Sequence, residues 1–170
     1  MSSRMFLSLA TSALPICGPT VEVRFSDGAP VDRIIVENVS PQGWLLESVD
    51  IAFAGSAGRL VIDVVPGGEG FNVAQPLRVA AGAQHLATIP TAEDGDEALA
   101  LDFAAMPTGE SVTLTLDLDD RLPGGTRVDG AEIAGARVTA SFGHRDGGEE
   151  THEGLFGPEA AARAGAPCLG

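Results

Sequence analysis

Val21-Glu22-Val23-Arg24-Phe25-Ser26-Asp27-Gly28-Ala29-Pro30 decides the fold class. Apolar Val21, Val23 and Phe25 alternate with polar Glu22, Arg24 and Ser26, the period-two pattern of a half-buried strand, and Ser26 to Pro30 has turn chemistry. The pattern repeats outward. Arg33 to Val39 reads as the next strand, closed by Ser40-Pro41-Gln42-Gly43. Trp44 to Phe53 follows, its odd-numbered side the more apolar, with Glu47 the exception. Gly55-Ser56-Ala57-Gly58 turns the chain into Arg59 to Val65, and Pro66-Gly67-Gly68-Glu69-Gly70 into Phe71 to Val79. Further strand signals cover His85 to Pro90, Ala98 to Phe103, Ser111 to Leu118 and Ala136 to Phe142. About nine short strands at intervals of about 8–12 residues predict an all-β fold, an antiparallel β-sandwich of jelly-roll-like kind.

The chain ends read differently. Arg4 precedes the apolar run Met5 to Ile16, so residues 1–18 read as an export signal. Residues 19–143 read as the sandwich domain. Residues 144–170 read as a polar, Gly-rich C-terminal tail with a short Ala-rich helix over Pro158–Ala164. The two cysteines, Cys17 and Cys168, stand near opposite ends and could staple the termini if both survive processing. No apolar stretch is long enough for a transmembrane helix.

Composition narrows the function. The chain has 24 Asp and Glu against 10 Arg, no Lys, and a formal charge of −14. Such a balance repels phosphate and anionic lipid, so nucleic acid is not expected as a partner. Catalytic constellations are missing: His85, His144 and His152 are scattered, and there is no Gly-x-Ser-x-Gly elbow and no phosphate loop. A non-enzyme is the expectation. Seven Phe, one Trp and no Tyr leave Trp44 as the single candidate for stacking on a sugar.

The acids gather at strand ends, most densely in Leu116-Asp117-Leu118-Asp119-Asp120. Calcium takes six to eight oxygen ligands, and crowded carboxylates suit it. Asp119, Asp120 and Glu132 are the expected ligands, because the Gly124-Gly125 loop returns the chain to Glu132. Asp117, Asp27 and Asp32 are candidates to complete the shell. The alternative is a solvated acidic edge that discourages strand-to-strand association.

Four stretches, in this order, carry a resemblance: Ser26 to Arg33, Gly70-Phe71-Asn72-Val73-Ala74-Gln75-Pro76, Leu116 to Asp120, and Gly130-Ala131-Glu132-Ile133-Ala134-Gly135-Ala136. Together they resemble bacterial proteins similar to the core of the sponge aggregation factor, over roughly Thr20 to Phe142. The resemblance implies an extracellular β-rich adhesion or matrix module with calcium-assisted association. The expectation for this chain is a secreted or periplasmic module of the adhesion or aggregation kind, whose partner is a second copy or a cell-surface glycan or protein. A small carbohydrate-binding module and a periplasmic structural protein without ligand are the alternative readings.

Overall fold

A computed structural model describes residues 17–28, 31–68, 70, 74–122 and 128–166. The export segment therefore lies almost wholly outside the described residues. The fold is antiparallel and all-β. Its strands are β1 (Thr20–Ser26), β2 (Asp32–Asn38), β3 (Trp44–Ala52), β4 (Val61–Ile62), β5 (Arg78–Ala81), β6 (Ala98–Pro107), β7 (Ser111–Leu116), β8 (Leu118–Asp119), β9 (Arg137–His144), β10 (Glu149–Leu155) and β11 (Ala161–Gly165). One sheet has the order β11-β1-β2-β7-β5 and the other β10-β9-β3-β6, while β4 and β8 pair as a separate ribbon.

The period-two pattern sets the layers. Val21, Val23 and Phe25 of β1, with Ile34 and Val36 of β2, bury against Val49 and Ile51 of β3 and Val138, Ala140 and Phe142 of β9. Glu37 and Arg24 face outward, joined by an ion pair at 3.0 Å. The odd place of Glu47 has a local cause. The register of β3 shifts between Leu46 and Ser48 against both neighbours. Such a bulge sets two residues against one and changes the phase. Leu46 therefore points inward on one side of it, Val49 and Ile51 on the other, and Glu47 stays exposed.

Three expectations are corrected. The polar stretch after His144 is a hairpin, not a tail: β10 pairs with β9 from Glu149↔Gly143 to Leu155↔Arg137. Its Gly-rich segment is the turn, where Gly147 takes φ +91°. The Ala-rich segment is strand β11 rather than a helix, paired with β1 from Thr20↔Gly165 to Arg24↔Ala161. Tertiary context overrides helix propensity here. Ala162 and Ala164 fit the core, and a side chain on Gly154 would strike the backbone at Arg163. His85 to Pro90 is also no strand: Ala83–His85 form a 3₁₀ turn, and Leu86 makes an isolated bridge to Phe103.

Pairing of β1 with β11 brings the chain ends together, and the Ala166 N–H donates to the Pro19 carbonyl at 3.1 Å. Cys17 is disulfide-bonded. The expected staple to Cys168 falls outside the described residues. Among the described residues, no helix is long and apolar enough to cross a membrane.

Candidate metal centre

The ribbon of β4 and β8 builds the site. Leu60, Val61 and Ile62 are fully buried, and so is Leu118 across from Ile62. This apolar anchor fixes the register Val61↔Asp119 and Ile62↔Leu118. The next backbone bond runs from the Asp63 N–H to the Asp117 carbonyl at 3.0 Å. Asp63, Asp117 and Asp119 are thereby set side by side, each offering a carboxylate oxygen within 4.8 Å of the others. Asp63 is 2 % exposed and Asp119 8 %, while Asp117 is half-buried.

Burial of three like charges is unfavourable without a counter-charge or a proton. Burial pushes the Asp63 carboxyl up to about 6, helped by the Asp119 and Asp94 carboxyls beside it. Burial likewise pushes Asp117 up to about 7, with the charges of Asp119, Asp32 and Asp63 adding to it. Among the described residues, Asp63 Oδ1 is buried and accepts no hydrogen bond. A buried, unmet carboxylate oxygen costs about 1–3 kcal/mol or more. A hard divalent cation among the three acids removes both penalties at once.

Two glycines close the site by lacking side chains. A Cβ on Gly70 would collide with the Asp63 and Asp119 carboxylates, and one on Gly68 with the Asp94 carboxylate. Bare backbone thus passes over the acids. Asp94 fastens this corner, its Oδ1 accepting the Val64 N–H at 3.1 Å and the Val65 N–H at 3.2 Å.

The expected ligands divide between this group and other tasks. Asp117 and Asp119 stand in it. Asp120 lies just past β8 and accepts the Leu122 N–H at 2.8 Å. Glu132 accepts the Asp129 N–H at 2.7 Å, completing the capping box of the 3₁₀ turn Gly130–Ile133. Asp120 and Glu132 approach each other across Gly58, whose missing side chain leaves room for their Cβ atoms. Asp27 lies against Gly130. Asp32 is buried, with both carboxylate oxygens taken up by backbone N–H groups of Gly28 and Leu118. Its carboxyl is raised by burial, against the lowering effect of those two bonds.

Sequence reasoning missed Asp63, Asp94 and the glycines. One signal for Asp63 was present: it is the single charge inside Leu60-Val61-Ile62-Asp63-Val64-Val65. An acid inside an apolar run is buried with its neighbours and needs a partner.

The histidines do not join the group. His85 sits 3.1 Å from Glu110, His144 3.6 Å from Asp146 and His152 2.7 Å from Glu150. Trp44 packs against the core, its ring tilted on His144 at 4.8 Å between centroids.

No protein-family model matches this chain, and no curated protein matches it.

Proposed function

We propose that this chain is an exported, acidic, non-catalytic β-sandwich module of the adhesion or aggregation kind, whose Asp63–Asp117–Asp119 group takes calcium. The observation that carries the reading is the buried, unmet Oδ1 of Asp63 beside two further carboxylates. Chemistry selects the ion class. Three carboxylates suit a hard cation, and a site made of oxygen alone suits calcium better than zinc, which favours nitrogen and sulfur. Magnesium demands a tight octahedron and holds its water, so it fits a three-acid corner less well.

Three of the four stretches that resemble the aggregation-factor proteins lead to this corner, through Asp32, Gly70 and Asp117–Asp119, which supports the adhesion reading. The disulfide at Cys17 supports an oxidising, secreted or periplasmic compartment. The charge of −14 opposes contact between two copies or with an acidic surface, and bound calcium lowers that barrier. Partners of the module are a second copy or a cell-surface glycan or protein.

A melting curve tests the calcium reading. Extracellular modules bind calcium with dissociation constants on the order of 10⁻⁴–10⁻³ M. At about ten times that constant the folded state gains roughly 1.4 kcal/mol. Millimolar calcium should raise the melting temperature by about 3–6 °C. Magnesium should give less, and sodium at matched ionic strength should give only the screening part. Equal shifts in calcium and sodium would mean that the triad takes no calcium and only the charge of −14 is being screened.

A further inference from the structure

Asp32 sits where two backbones meet. It opens β2 opposite Leu116, the last residue of β7. Directly after Leu116 the chain leaves the five-stranded sheet and enters the ribbon with β4. At that crossing Asp32 is only 4 % exposed. Its Oδ1 accepts the Gly28 N–H at 2.9 Å, and its Oδ2 accepts the Leu118 N–H at 3.0 Å. The second bond joins residues 86 positions apart, and its donor lies between the two acids Asp117 and Asp119.

A hydrogen bond to a charged acceptor is about twice as strong as a neutral one. A bond of that kind, buried between two sheets, fixes the backbone it holds. Asp117 and Asp119 repel each other, and a segment free to swing would part them. Asp32 offers none of the three atoms that could hold a metal, which come from Asp63, Asp117 and Asp119. We propose that Asp32 is the positioning residue of the metal centre: it clamps the Leu118 amide, and so holds Asp117 and Asp119 at the spacing a cation needs, while making no bond to the ion. The identity of the ion rests on the calcium reading above; the clamp does not. Groups that orient metal ligands commonly change affinity by about 10–100-fold when removed.

The test uses the full chain and two readouts, amide hydrogen exchange at Leu118 and calcium titration. Asp32→Asn keeps one acceptor oxygen but turns the other position into a donor facing an N–H group. In metal-free wild type the Leu118 amide should exchange slowly, as a core strand amide does. Asp32→Asn should lose that protection and weaken calcium binding by about tenfold or more. Asp27→Asn removes a charge from the same turn and leaves the Leu118 bond in place. It should keep the protection and change affinity by less than about twofold, because an exposed charge acts weakly through solvent. The proposal is overturned if Asp32→Asn binds calcium like wild type, or if Asp27→Asn weakens binding as much as Asp32→Asn does. Should Asp32→Asn fail to fold, wild type still decides: a Leu118 amide that exchanges as fast as an exposed loop amide overturns the clamp. Should wild type bind no calcium, the calcium reading falls, and the amide measurement alone judges Asp32.

Discussion

Two acidic corners of this sandwich use the same side chains in opposite ways. At the 3₁₀ turn Gly130–Ile133, Asp129 and Glu132 each accept a backbone N–H of the other's end of the turn, and nearby Asp120 accepts the Leu122 N–H. These acids complete the backbone around them. At the ribbon of β4 and β8, Asp63, Asp117 and Asp119 crowd together, and among the described residues no donor meets the buried Asp63 Oδ1. The neighbours Asp119 and Asp120 divide between the corners: Asp119 ends β8 within the triad, and Asp120 lies just past the strand, engaged by the Leu122 N–H. An acid that terminates a turn is a structural device. An acid buried against other acids needs a counter-charge or a proton.

The largest break in this comparison is Asp63→Asn, measured without metal. The substitution removes a buried charge and supplies a donor to the neighbouring carboxylates. It should stabilise the metal-free protein near pH 8 by about 1–3 kcal/mol, read by urea unfolding in chelator. The pH dependence carries the same sign. Asp63 and Asp117 titrate near an ordinary value of 3.8 when unfolded and at about 6 and about 7 when folded. Below pH ~4 both states hold the protons, and no difference arises. As pH rises through the interval up to ~7, the unfolded chain has released protons that the fold retains, so metal-free stability falls. Asp63→Asn should flatten that fall. A metal-free stability that rises from pH 5 to pH 8, with Asp63→Asn less stable than wild type, would place the triad among the satisfied acids.

Glu132→Ala makes the opposite break and a smaller one. Loss of the capping box should cost about 0.5–2 kcal/mol, the usual range for a cap. The cost should be the same with and without calcium, and the calcium-induced rise in melting temperature should persist. A calcium response that vanished in Glu132→Ala would move the metal to the corner that the sequence favours.

The two corners also show why the sandwich was more legible than the site. Period two and turn residues are local, so β1, β2, β3, β6, β7 and β9 could be read from neighbours in the chain. β10 and β11 escaped because their composition, polar in one and Ala-rich in the other, carries no strand signal. Their pairing with β9 and β1 supplies the reason, and pairing is not local. The site has the same difficulty in stronger form. Asp117 and Asp119 stood out through their density, but nothing local joins them to Asp63, 54 positions before Asp117. Only the two-residue ribbon of β4 and β8 brings them together. Asp120 and Glu132 misled for the converse reason: they do approach each other, yet both are engaged by backbone N–H groups.

A calcium titration of metal-free wild type beside Asp63→Asn and Glu132→Ala, followed by isothermal calorimetry, tests the central claim most directly. The triad predicts saturable binding in the range of roughly 10⁻⁴–10⁻³ M for wild type. Glu132→Ala should bind with the same affinity, and Asp63→Asn should show no binding in that range. Binding by Asp63→Asn equal to that of wild type would contradict the account, because the acid whose burial defines the site would then play no part in holding the ion.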